Sequence, residues 1–233
     1  MKVSNMILSG AFLGVLGIGI LILLVVKFSM DDHPPNNRLP VESSAKVVKK
    51  IKLTGFKEVD LKGKWQVRIV QADEKTIRIE GPEDLLADLL VNHKGSLVEL
   101  HMPEWKNDRR KLFLEITMPS IKSLKILGVA DVSISGFILE DLMIHVEGVT
   151  SIHGENGSTG KLEFMGKGVS KLDLQNFPTR SADLAGKGVI KIELTMAGGE
   201  LTGSIEGVGH VRYKGKAGHE SIKVKGPCKV TRS

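Results

Sequence analysis

The chain has only one cysteine, Cys228, among its 233 residues. It can form no internal disulfide and no catalytic dithiol. Aromatic residues are also scarce, at 4% of the chain, so the sequence offers no stacking platform for nucleic-acid bases. The formal net charge of +6 is mild for a nucleic-acid-binding protein. These shortages exclude a disulfide-stapled fold and argue against a nucleic-acid partner.

The sequence also lacks the short motifs that mark common enzymes. It contains no HExxH, no GxSxG and no phosphate-binding loop. Its seven histidines are scattered, without carboxylates at convincing metal-ligand spacing. We therefore expect no metal, no cofactor and no enzymatic activity.

A glycine-centred repeat fills the C-terminal half of the chain. The interval between successive glycines is nearly constant, at about 20 residues. The six glycines are Gly128, Gly148, Gly168, Gly188, Gly207 and Gly226. A valine follows each of the first five directly, a proline follows the last, and a branched aliphatic residue stands four places after all six. A fixed period of this size is typical of a solenoid, in which each unit stacks on its neighbours.

Apolar residues recur four and two places before most of these glycines, and four and six places after them, with exceptions such as Gly154 and Arg232. This alternation with a period of two predicts two short strands in each unit, joined by a bend at the glycine. Stacked valine and isoleucine columns are expected to bury apolar surface. The sequence therefore predicts an all-β, single-domain β-helix or solenoid with coils of about 20 residues.

We predict further strands and one short helix in the N-terminal half of the folded part. PEDLLADLL, at Pro82–Leu90, has a proline and acids early and leucines at helical spacing. Alternating segments on either side indicate strands. The predicted strands are Val47–Leu53, Val59–Leu61, Trp65–Val70, Thr76–Glu80, Leu97–Met102 and Lys111–Met118, with a polar loop at Trp105–Arg110.

Residues 6–26 form an uninterrupted apolar run without a charged side chain. As a helix this run would span about 31 Å, close to the hydrocarbon thickness of a bilayer. We interpret residues 1–27 as an uncleaved, single-pass transmembrane anchor, residues 28–46 as a polar linker, and residues 47–233 as the folded domain. Because a short N-terminal head favours export of the chain after the span, the domain is expected to be periplasmic or extracellular, on a bacterial membrane.

Four lysines occupy equivalent positions of adjacent repeats. Lys167 and Lys187 directly precede a glycine, and Lys171 and Lys191 come three places after one. If the repeats stack in register, these four side chains crowd onto one face, where like charges repel. An anionic ligand would relieve the repulsion. The alternative is that Glu163, Asp173 and Glu193 neutralise the lysines locally.

The order of these segments resembles that of the autotransporter-adhesin head family of bacterial envelope proteins, also called the GIN domain family. The resemblance covers about residues 47–230. It rests on the strands at 56–61 and 65–69, the helix at 84–90, the segment Gly95–Leu100, the strand ending Met118–Pro119, and the glycine coils from Leu124 to Gly215. The resemblance implies a β-helix exposed in the cell envelope, with adhesin-like binding.

The sequence supports three functional hypotheses. In the first, the chain is a membrane-anchored, non-catalytic solenoid that binds an anionic envelope polysaccharide, another surface polymer or a protein partner, with the four lysines as ligand-binding residues. In the second, it is a polysaccharide-active enzyme, which would need clustered carboxylates such as Asp173 and Glu193. In the third, it is a structural or sensing module whose terminal edge, around Lys223–Val230, pairs with a partner.

Overall fold

The computed structural model describes residues 46–103 and 109–233, which contain twelve strands and one short helix. The protein is all-β, as predicted. The expected transmembrane anchor, nearly all of the linker and residues 105–108 of the predicted polar loop lie outside these residues. Within them, no helix is long and apolar enough to cross a membrane.

The strands are β1 (Lys46–Ile51), β2 (Glu58–Gln71), β3 (Thr76–Pro82), β4 (Leu90–Lys94), β5 (Leu97–His101), β6 (Leu112–Met118), β7 (Ser123–Ser135), β8 (Ile138–Glu155), β9 (Ser158–Ala197), β10 (Glu200–Lys216), β11 (His219–Lys225) and β12 (Cys228–Arg232). The helix, α1, is Glu83–Ala87. All twelve strands belong to one sheet, whose main path is β1-β3-β6-β2-β7-β8-β9-β10-β11.

The repeats pair in parallel and in register. Gly128 is the partner of Gly148 across β7 and β8, and Gly148 is the partner of Gly168 across β8 and β9. Strand β9 is 40 residues long and holds two repeats, the first beside β8 and the second beside β10. Equivalent residues of successive repeats therefore lie side by side along the sheet.

The repeat glycines form a continuous column. A Cβ atom built on Gly148 would lie 2.0 Å from the carbonyl oxygen of Gly128, and one on Gly168 would lie 2.3 Å from that of Gly148. Gly148 also has a φ of 124°, a conformation that side-chain-bearing residues rarely adopt. The column continues through Gly188, Gly207 and Gly226 at one end and reaches Gly63 at the other.

The column shows that β2 is an additional repeat layer, which the sequence analysis missed. Gly63 pairs with Gly128, and Trp65 pairs with Ala130. Leu61, Trp65, Val67 and Ile69 are buried, at the same offsets from Gly63 as the buried residues of later layers. The signal was present in the alternation around Gly63, but the interval between Gly63 and Gly128 is several times the repeat length, and this interval hid the repeat.

The predicted buried columns are confirmed. The residues four places after each glycine include Val132, Ile152, Leu172, Ile192 and Val211, all at most 1% exposed. These residues belong to one hydrophobic core that also includes the buried side chains of β2, β3, β5 and β6.

The expectation that the valine column is buried was wrong for the valines directly after the glycines. Val149, Val169, Val189 and Val208 are 46–50% exposed. The residue that follows Val149 is Thr150 and the one that follows Val169 is Ser170, and both are buried. Because side chains alternate between the two faces of a strand, burial of one column exposes its neighbour. We call these four residues the valine stripe.

Two local predictions were also wrong. The repeat glycines from Gly128 to Gly207 do not separate short strands, since β7 to β10 run through them; only Gly226 lies between two short strands, β11 and β12. Every layer bends at the same place, so the hydrogen-bonded ladder continues across the bend. The helix ends at Ala87, short of the predicted Leu90, because Leu90 begins β4 and pairs with His101 of β5.

Candidate functional site

The four lysines, called here the lysine block, lie on the outer surface around the glycine column. Lys167 immediately precedes Gly168 on β9, and its register partner on β8 is Glu147. Lys187 immediately precedes Gly188, and its register partner on β10 is Glu206. Lys171 and Lys191 are partners of Ser151 and His210. The parallel register thus places the lysines at equivalent positions of adjacent layers, as predicted.

Acidic residues accompany three of the four lysines. Lys167 Nζ lies 3.7 Å from Glu147 Oε2, and Lys187 Nζ lies 3.8 Å from Glu206 Oε2. Lys191 Nζ lies 3.5 Å from Glu193 Oε1. Of the three acids expected to neutralise the block, only Glu193 pairs with a member of it. Sequence reasoning missed Glu147 and Glu206, although both stand directly before a repeat glycine, as Lys167 and Lys187 do.

These ion pairs leave the lysines accessible. The lysine–glutamate distances of 3.7 and 3.8 Å exceed the roughly 2.7–2.9 Å of a charge-assisted hydrogen bond. The side chains of Lys167 and Lys187 are 66% and 70% exposed. Exposed pairs of this kind contribute little free energy, so an incoming anion competes with them at low cost. Lys171 has no acidic partner within 4 Å among residues 46–103 and 109–233.

A shallow trough lies over the first part of the glycine column, beside the block. Its floor includes Gly128, Gly148 and Gly168, and its volume is about 460 Å³. Lys62, Leu127, Glu147 and Lys167 also line it. No side chain rises from the floor, because the contact between layers allows only glycine there. The valine stripe follows the glycines by one residue in each layer, so an apolar strip runs beside the glycine column.

The carboxylates considered for catalysis each have basic neighbours. Asp173 Oδ2 lies 3.7 Å from His153 Nδ1. Glu193 Oε1 lies 3.5 Å from both Lys191 and Arg212 and 4.0 Å from His210. In the part of the chain that the structure describes, no group of three or more histidine, cysteine or acidic residues has the geometry to hold a metal ion. Both acids therefore lie beside basic side chains, and Glu193 is itself buried, at 8% exposed.

Glu206 connects the lysine block to the last layer of the sheet. Its carboxylate lies 3.1 Å from Lys225 Nζ of β11 and 3.8 Å from Lys187 Nζ of β9. The hydrogen bond from Lys225, followed by the charges of Lys187 and Lys225, lowers the pKa of Glu206 below its ordinary value. The carboxylate therefore holds β11 against the preceding layers most strongly when it is ionised.

Because the pKa of Glu206 is lower in the folded protein, its stabilisation is complete above the ordinary glutamate pKa. It is lost as the pH falls through the lowered folded value. We expect amide-exchange protection of β11 to decrease in acid in the wild type, and E206Q to lower it at neutral pH while weakening its acid dependence. Hydrogen exchange followed by mass spectrometry at several pH values measures this. An identical acid response in wild type and E206Q would contradict the assignment.

The fold and its outer surface define a repeat-built, all-β domain with a basic face and an apolar strip. The sequence profile of the family described as "putative auto-transporter adhesin, head GIN domain" matches residues 55–217. The chain belongs to this family, which confirms the resemblance seen in the sequence. No curated protein matches the chain significantly.

Solved structures of other bacterial proteins are similar to this chain. The crystal structure of a putative adhesin from Bacteroides fragilis has a TM-score of 0.67 at 19% identity, covering 82% of this chain and 98% of that one. A putative lipid binding protein from Parabacteroides distasonis has a TM-score of 0.48 at 14% identity, covering 80% and 96%. A putative adhesin from Parabacteroides merdae has a TM-score of 0.44 at 16% identity, covering 80% and 96%. At these identities, the first of the three similarities establishes a shared fold.

Proposed function

We propose that this protein is a membrane-anchored, non-catalytic β-solenoid of the bacterial envelope that binds an anionic surface polymer along its lysine block. The observation that carries the proposal is the placement of Lys167, Lys171, Lys187 and Lys191 on adjacent layers. The family name and the name of the Bacteroides fragilis structure support a binding role at the cell surface.

Parallel register supports the solenoid interpretation. Each of the layers from β7 to β10 pairs with the next at an offset equal to the spacing of the repeat glycines. One turn of chain thus advances one strand spacing, which is about 4.8 Å. Lysines at equivalent positions of neighbouring layers repeat at that interval, and a linear polymer with regularly spaced negative charges presents a matching period.

The surface beside the block suits an extended ligand. The glycine floor of the trough carries no side chains, and the valine stripe adds a flat apolar border to the column. Loose pairing with Glu147 and Glu206 keeps the lysines in place without removing them from solvent. A polyanion therefore gains several exposed charge contacts together, although each alone is weak.

The anchor accounts for the proposed location. The apolar run at 6–26 and the polar segment at 28–46 would hold the domain near a membrane, on the non-cytoplasmic side. There the domain meets envelope polymers directly. Asp173 and Glu193 are held by basic neighbours, which favours binding over the polysaccharide-active alternative.

We expect the full-length chain in neutral detergent to bind dextran sulfate and to release it as sodium chloride rises from about 0.05 to 0.5 M, because salt screens exposed charges. K167E/K187E should weaken binding about tenfold or more, since it replaces attraction with repulsion at two adjacent positions. Fluorescence anisotropy with labelled dextran sulfate measures the affinity, and co-sedimentation with purified envelope fractions extends it to natural polymers.

The matched control is K49E/K50E, which changes the charge equally on β1, an exposed strand at the other end of the sheet path. It should leave dextran sulfate binding nearly unchanged, and uncharged dextran should not bind. Equal weakening in the two variants would mean that only total charge matters. Unchanged binding in K167E/K187E, with folding verified by circular dichroism, would refute the proposed site.

A further inference from the structure

The positive charge of the protein is concentrated at one end of the sheet. Residues 207–233 contain seven lysines and arginines and a single acid, so the formal net charge of +6 resides entirely in this segment. All seven basic side chains are exposed. Much of the segment forms β11 and β12, which pair only with β10 at the end of the sheet.

The end layer exposes apolar side chains whose equivalents in the preceding layer are buried. Val224 is 39% exposed, whereas Ile205, its partner in β10, is completely buried. Val230 is partly exposed, whereas its β10 partner Val211 is buried. Among the described residues, no strand pairs with the far side of β11 or β12. Edge strands of this kind present unpaired backbone donors and acceptors to a further strand.

The sequence of β11 indicates which side chains a strand added at this edge would carry. Ile222 and Val224 alternate with Ser221, Lys223 and Lys225, so over Ser221–Lys225 one face of the strand is apolar and the other is basic, while Glu220 precedes the apolar pair on its face. An added strand satisfies the backbone groups along the edge, and its apolar residues extend the core over Ile222 and Val224. Its acidic residues lie opposite Lys223 and Lys225, where opposite charges stabilise cross-strand pairs; Lys223 has no acidic partner within 4 Å among the described residues, and Lys225 would share its charge with Glu206.

We propose that the edge formed by β11 and β12 binds an extended polypeptide segment in which acidic and apolar residues alternate. This is strand addition, in which backbone hydrogen bonds provide affinity and alternating side chains provide specificity. The inference concerns a different surface from the lysine block and does not depend on polymer binding there.

Charge disfavours a second copy of this chain as the occupant. The other end of the sheet path, β1, has the sequence KVVKKI, and β11 has two lysines, Lys223 and Lys225, with one histidine and one glutamate, His219 and Glu220. Pairing either strand of one copy with β11 of another places lysines near lysines, which is unfavourable. A bilayer interior is also a poor occupant, because it cannot satisfy the backbone groups of an open edge.

The test uses end-blocked, fluorophore-labelled peptides seven residues long, the length of β11, and the full-length chain in neutral detergent. The first peptide alternates glutamate and valine. The second has the same composition with its glutamates in one block, and the third alternates lysine and valine. Fluorescence anisotropy at low ionic strength gives the affinities for the wild type, K223E/K225E and the control K49E/K50E.

We expect the wild type to bind the alternating glutamate peptide in preference to the other two. K223E/K225E should lower that affinity about tenfold and increase affinity for the lysine peptide, because the cross-strand charges are exchanged. Since K225E also removes the contact with Glu206, the gain for the lysine peptide is the result that shows β11 to be in place. K49E/K50E should behave like the wild type. The inference is overturned if the wild type does not bind the glutamate peptide, if it binds the block peptide equally well, or if both variants lose binding equally. It is also overturned if light scattering shows that K223E/K225E abolishes self-association through this edge, since the occupant would then be a second copy.

Discussion

Replacing Gly148 with alanine is expected to destabilise the protein by more than about 4 kcal/mol, an effect larger than most single substitutions produce. The new Cβ would lie 2.0 Å from the carbonyl oxygen of Gly128, and the contacting atom is backbone, which cannot move aside without shifting a whole layer. The φ of 124° adds conformational strain. Urea unfolding followed by circular dichroism measures the free energy change, and failure to fold is the extreme form of the same result.

Gly198 provides the matched control for Gly148. It also has a positive φ, of 103°, but a Cβ built there meets nothing within 4 Å. G198A should therefore cost only the conformational strain, about 1–2 kcal/mol. Comparison of the two variants separates strain from the clash between layers. Similar losses for G148A and G198A would show that the contact along the glycine column contributes little.

Replacing Trp65 with alanine is expected to reduce the free energy of unfolding by about 3–5 kcal/mol, as for other large-to-small changes in cores. Trp65 is completely buried in β2, between the repeat layers and the N-terminal strands. Its removal leaves a cavity where β6 and β7 both pair with β2. Urea unfolding again gives the value, with a circular dichroism spectrum in the absence of urea to verify folding.

W65F distinguishes the packing of the ring from its polar atom. The indole Nε1 of Trp65 is buried and has no hydrogen-bond partner among the described residues. An unpaired buried donor opposes folding, so phenylalanine removes that cost while keeping most of the apolar contact. We expect W65F to lose less than about 2 kcal/mol. A loss in W65F as large as in W65A would indicate that the N–H group contributes essential stabilisation.

Much of the repeat part was predictable because its pattern is local and periodic. The glycine spacing set the offset between layers, and the period of two identified buried residues such as Ile152 and Leu172. The same register predicted that Lys167, Lys171, Lys187 and Lys191 would occupy equivalent positions. These features depend on neighbours within one repeat length along the chain, and a parallel in-register sheet preserves that order in space.

Three other features could not be predicted from the local sequence pattern. The helix boundary depended on the pairing of Leu90 with His101, which competes with local helix preference. The exposure of the valine stripe depended on which of two adjacent columns faces the core, since both fit a regular pattern. The membership of β2 in the stack required contact across the long interval between Gly63 and Gly128.

The sequence by itself determined the all-β class, the repeat length, the need for glycine at one position of each repeat, and the family. Local conformational preference and side-chain alternation are encoded residue by residue. Only the tertiary structure decided which acids accompany the lysines and that the valine stripe faces solvent. It also decided that the last layer carries both exposed apolar side chains and the net positive charge. These features arise when distant layers meet, because burial and charge pairing depend on the residues across the strand as well as along it.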